Sequence, residues 1–203
     1  MSFFSKLYLK LTGWKIDPHF PKELNEQCVM ICAPHTSNWD FPITLAVMTA
    51  LNVKARYAMK KELMRFPFGY LMRAVGGISI DRSPKKEGEE RKSTVQAIAE
   101  LFEQEEKLCL MIAAEGTRSR RKEWKTGFYY IALQANVPIC LGYLDYEKKV
   151  GGFGKVVHPT GDINKDMAEI MDFFADKTPK HPQNFALDHR FYRSSSNNAS
   201  EQA

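Results

Sequence analysis

Residues 28–33 read C-V-M-I-C-A, an unbroken apolar run that stops at P-H-T-S-N-W-D. A short apolar run closed by turn residues has the pattern of a strand buried on both faces. Comparable runs lie at 55–59, 77–80, 108–114 and 137–143, with a weaker one at 155–158. Between them the apolar residues recur at three- and four-residue steps, which predicts helices over 43–51, 61–75, 87–107, 126–135 and 167–174. In the third of these, Val95, Ile98 and Phe102 share one face. Strands alternating with helices predict a single α/β domain with a central mixed sheet flanked by helices.

The first residues have a different pattern. Phe3, Phe4, Leu7, Leu11 and Trp14 fall on helical spacing with Lys6, Lys10 and Lys15 near the edges. This suits a helix lying in the plane of a lipid surface, and it equally suits a helix packed on its own domain. The chain divides on this reading into an amphipathic segment (1–24), the main domain (25–193) and a tail (194–203) whose S-S-S-N-N-A-S-E-Q-A composition predicts disorder. The longest apolar stretch, 41–51, falls short of the 18 or so residues of a spanning helix, and the N-terminus lacks the form of a signal peptide.

Composition narrows the function classes. The 203 residues carry a formal charge of +5 made of many charges of both signs, a mildly basic surface that suits an anionic membrane or substrate. The run R-S-R-R-K at 118–122 raises the alternative of a noncatalytic module for anionic lipid or nucleic acid, but no nucleic-acid-binding module surrounds it. Cys28, Cys32, Cys109 and Cys140 sit inside apolar runs with no C-x-x-C pair, so they read as small buried hydrophobes, and neither a metal site nor a disulfide framework is expected.

Ligands of α/β folds are usually held where strands end, and four unusual clusters fall at such places. They are P-H-T-S-N-W-D at 34–40, M-K-K-E-L at 59–63, G-I-S-I-D-R-S at 77–83 and A-E-G-T-R-S at 114–119. His35 can take a proton from a hydroxyl near neutral pH, and it does so best when its second ring nitrogen donates to a carboxylate. Asp40, five residues on across a loop, can supply that carboxylate, although before Phe41-Pro42 it also makes a good helix N-cap. Ser37 reads as a loop hydrogen-bonding residue rather than a nucleophile.

H-T-S-N-W-D resembles the H-x-x-x-x-D signature of the glycerolipid acyltransferases, which include the 1-acylglycerol-3-phosphate acyltransferases. G-G-I-S-I-D-R at 76–82 resembles that family's second block, E-G-T-R-S at 115–119 its third and V-P-I at 137–139 the start of its fourth. The fourth departs from the pattern at Leu141, where a proline is usual. The resemblance implies transfer of a fatty acyl group from acyl-CoA or acyl carrier protein to the hydroxyl of a lysophospholipid, first of all lysophosphatidic acid. A lyso amino-acid lipid is the alternative acceptor, and with water as acceptor the same base would give a thioesterase. It implies His35 as the general base with Asp40 orienting it, and Lys60, Arg82, Glu115, Gly116, Thr117 and Arg118 as substrate-binding. Lys125 resembles a further family position. Glu115 is expected to hold the loop or a neighbouring arginine. No cofactor beyond the acyl thioester co-substrate is expected, and the protein is expected at the cytoplasmic face of a membrane, held peripherally.

Overall fold

The computed structural model describes residues 2–59, 68–74, 76–79 and 93–192. Seven strands form one mixed sheet: β1 (Lys15–Ile16), β2 (Gln27–Cys32), β3 (Ala55–Met59), β4 (Gly77–Ser79), β5 (Leu108–Ile112), β6 (Ile139–Asp145) and β7 (Val150–Val157). Their order is β1-β7-β6-β2-β5-β3-β4, with β6 and β7 antiparallel and every other pair parallel. The helices are α1 (Ser2–Thr12), α2 (Asp40–Ala50), α3 (Phe68–Ala74), α4 (Thr94–Gln104), α5 (Gly127–Ala135) and α6 (Ile163–Phe174).

The alternation within β2 explains why its sequence is apolar throughout. Val29 and Ile31 face a core built with Leu110, Phe128, Ile139 and Met167, whereas Cys28 and Met30 face Met48, Cys109 and Cys140 on the other side. All four cysteines are free, and burial pushes the Cys32 thiol up to about 12, so they serve as packing groups. Helix α2 is apolar around much of its circumference because it is sandwiched. Met48 packs toward the sheet, while Ile43, Ala46 and Val47 meet Leu9 and Trp14 of the N-terminal arm.

Helix α4 begins with a capping box between Ser93 and Gln96, and the Asp162 carboxylate caps α6. Helix α5 ends at Asn136 in the left-handed region, φ 53°. The described helix over the predicted 87–107 is Thr94–Gln104, and that over 61–75 is Phe68–Ala74. The tail from 194 lies outside the described residues.

Two features differ from the sequence expectations. The weak strand at 155–158 is the end of an eight-residue strand that forms a hairpin with β6, and V-G-G-F-G concealed it because glycine weakens the strand signal. A side chain at Gly152 would run into Asp17, so that glycine is what lets β1 lie against β7. Trp14, expected on the lipid face of α1, is buried and packs edge-on against Tyr146 at 5.0 Å. The helix buries Leu9 on one side and exposes Phe3, Phe4, Leu7 and Leu11 on the other. No helix among the described residues is long and apolar enough to cross a membrane.

Candidate active site

Strands β2, β3, β4 and β5 run parallel, so their C-terminal ends share one rim of the sheet. The loop leaving β2 carries His35 and turns directly into α2, whose first residue is Asp40. His35 Nδ1 lies 3.1 Å from Asp40 Oδ2. A carboxylate cannot donate, so the ring nitrogen does, and that tautomer leaves Nε2 with a free lone pair. The imidazole is about a quarter exposed, while Asp40 is buried.

Asp40 does not act as an N-cap: Trp39 holds that position, and the carboxylate points back into the loop. Its Oδ2 also accepts from the backbone N–H groups of Thr36 and Ser37, both at 2.9 Å, and its Oδ1 accepts from the Tyr146 hydroxyl at 2.6 Å. Burial alone would raise the Asp40 pKa, but the bonds from His35, Tyr146 and Ser37 outweigh it and hold the group below the ordinary carboxylate range. Ser37 accepts from the Trp39 N–H through its hydroxyl, a loop role as its position suggested.

Glu115 closes the site from the loop after β5. Its Oε1 accepts from the His35 backbone N–H at 2.6 Å, and no arginine pairs with it among the described residues. Burial pushes Glu115 up to about 8, offset in part by the His35 N–H and reinforced by the Asp40 charge. Gly116 has φ +67°, and a side chain there would strike the Lys125 stem. Thr117 accepts from the Ser119 N–H, and Arg118 is exposed without an ion-pair partner among the described residues. Beside them a cleft of about 460 Å³ is lined by Glu115, Gly116, Thr117, Arg121, Lys122 and Lys125 together with Glu123. Two members of the basic run, Arg121 and Lys122, therefore border the E-G-T-R loop. Lys60 and Arg82 lie outside the described residues.

Sequence reasoning missed the contribution of the C-terminal segment. The His181 N–H donates to Thr36 Oγ1, and the Lys180 ammonium sits 5.3 Å from the Trp39 ring centre, so this segment holds the His35 loop. Further on, buried Asp188 accepts from the Trp124 N–H and pairs with Arg190, which donates in turn to the Trp124 carbonyl. Tyr146 and this strap carry no periodic or motif signal, so only the three-dimensional fold brings them to the site.

The model of the acyltransferase family matches residues 15–140, more than half of the chain. The chain belongs to the acyltransferase family. Among solved structures it is similar to the 1-acyl-sn-glycerophosphate acyltransferase PlsC from Thermotoga maritima. That structure is 14% identical, with a TM-score of 0.52 over 85% of this chain and 73% of the other. At that identity the likeness concerns the fold, a single α/β domain built on a mixed sheet. No curated protein matches the sequence. The family match of this acyltransferase ends before Tyr146 and the strap, so these contacts to the site come from beyond the matched stretch.

Proposed function

We propose that the protein is an O-acyltransferase that moves a fatty acyl group from a thioester, on coenzyme A or acyl carrier protein, to a lysophospholipid hydroxyl, with lysophosphatidic acid as the first acceptor. The observation that carries this reading is the His35–Asp40 pair, in which a buried carboxylate fixes one imidazole nitrogen and leaves the other available at the strand-end rim. His35 Nε2 accepts the acceptor's hydroxyl proton as its oxygen attacks the thioester carbonyl carbon. The tetrahedral intermediate then collapses, the C–S bond breaks, and the thiolate takes the proton back from the imidazolium. No covalent enzyme intermediate forms, and no cofactor is needed beyond the thioester.

The acceptor assignment draws on cationic side chains bordering the E-G-T-R loop, where Arg118, Arg121, Lys122 and Lys125 offer donors to a phosphate. Binding at a membrane surface follows from the acceptor's location, and the exposed Phe3, Phe4, Leu7 and Leu11 supply apolar groups for it. The test is an acceptor panel with purified protein, run with acyl-CoA and again with acyl carrier protein, recording both acylated lipid and free fatty acid. Lysophosphatidic acid should be acylated, and His35→Ala should lower turnover by about 10²–10⁴ while vesicle binding persists. Free fatty acid formed equally without acceptor would mark a thioesterase, and full turnover in His35→Ala would remove the base.

A further inference from the structure

The Asp40 carboxylate has two unlike ends. Oδ2 receives three N–H donors from its own loop, from His35, Thr36 and Ser37. Oδ1 receives the Tyr146 hydroxyl, 106 residues away in sequence. At 2.6 Å this O–H to carboxylate contact has the length of a charge-assisted hydrogen bond. Because Asp40 is only 4% exposed, water is a poor substitute for that donor.

The phenol is itself held from several sides. The Tyr146 N–H donates to the Thr178 carbonyl at 2.8 Å, its ring meets the Trp14 ring at 90°, and it packs on the cluster of Leu9, Ile43, Val47 and Leu144. A hydroxyl that is carried on a fixed ring and aimed at one carboxylate oxygen determines how that carboxylate is turned. We propose that Tyr146 is a positioning residue of the acyl-transfer site, locking the Asp40 carboxylate in the orientation that presents Oδ2 to His35. Its hydroxyl bonds to Asp40 Oδ1, so it acts on His35 through Asp40. Burial, and then the bond to Asp40, hold the phenol protonated far above neutral pH, so the donor persists across the working range. Among the described residues, the ionisable groups whose charge acts on this pair include His35, Glu115 and Tyr8.

The inference rests on His35 being the base, and its test separates the two. Tyr146→Phe deletes the hydroxyl and keeps the ring against Trp14. Expected is a fall in kcat of about tenfold, the scale of one hydrogen bond to a charged group, with KM for thioester and acceptor unchanged. The acid limb of the kcat/KM profile should move to higher pH, because a carboxylate that no longer shares its charge with the phenol favours the imidazolium. In an Asp40→Asn background, Tyr146→Phe should add little, since its path of action is already cut. Independently of turnover, the nitrogen-15 chemical shift of His35 Nδ1 should change in Tyr146→Phe. Should that variant not fold, Trp14→Leu, which keeps the hydroxyl and loosens the ring behind it, should shift the same limb in the same direction. An unmoved limb with an unmoved Nδ1 shift overturns the role of Tyr146 and leaves the base intact. Full activity in His35→Ala, together with a moved His35 Nδ1 shift in Tyr146→Phe, overturns the base and leaves the Tyr146–Asp40 geometry standing.

Discussion

Glu115 behaves against the habit of carboxylates in folded proteins. Most are held ionised, but this one is buried with one backbone N–H, that of His35, as its hydrogen-bond partner among the described residues, and it keeps its proton up to about 8 instead of the ordinary 4.5. Between those values the folded state binds more protons than the unfolded one, so the group's contribution to stability falls as pH rises, by ~1.4 kcal/mol per pH unit. Glu115→Gln retains an oxygen for the His35 N–H and has no proton to lose. Thermal melting from pH 5 to pH 8 should therefore decline less in Glu115→Gln than in the wild type, and parallel curves would show that burial does not hold the proton. His35, Asp40 and Glu115 were all legible in the sequence, because short blocks at strand ends carry them. Tyr146 was not, since a tyrosine in L-D-Y-E acquires its meaning only when the β6–β7 hairpin brings it to Asp40.

Elements with strong periodicity were legible, and those without it were not. The unbroken runs of β2, β5 and β6 and the one-sided face of α4 announced themselves, whereas the glycines of β7 and the two residues of β1 gave no pattern to read. The described segment after α6, 175–192, forms no long regular element, and it is fastened by polar contacts as well as by Phe185, Leu187, Phe191 and Tyr192 packed on the core. Its anchor is Asp188, whose pKa burial would raise but which Arg190 and the Trp124 N–H hold below the ordinary 3.8. A carboxyl lowered in this way stabilises the fold above that value, and the contribution is lost as pH falls through the depressed one. Asp188→Ala should cost at least the ~1.5–3 kcal/mol of a charged hydrogen bond at pH 7, measured by denaturant unfolding, and the deficit should narrow toward pH 3. A deficit that is constant with pH would assign the strap to packing instead.

Across the whole molecule the N-terminal arm faces two environments. Phe3, Phe4, Leu7 and Leu11 are exposed, and replacing all four with serine should leave melting nearly unchanged while reducing binding to anionic vesicles. Trp14→Ala should do the reverse, lowering stability by about 3–5 kcal/mol with vesicle affinity retained in the folded fraction. Vesicle binding that survives the four serines would place the lipid contact elsewhere. The arm also does something for the sheet that has nothing to do with lipid. Lys15 N–H donates to the Lys149 carbonyl, Asp17 N–H to that of Gly151 and the His19 ring to that of Phe153, so alternate carbonyls along the outer side of β7 are stitched shut. A protein trimmed back past His19 would present that border bare, a template on which a second copy can add its own strand. Such a truncation would report on self-association, rising with protein concentration, rather than on affinity for a bilayer.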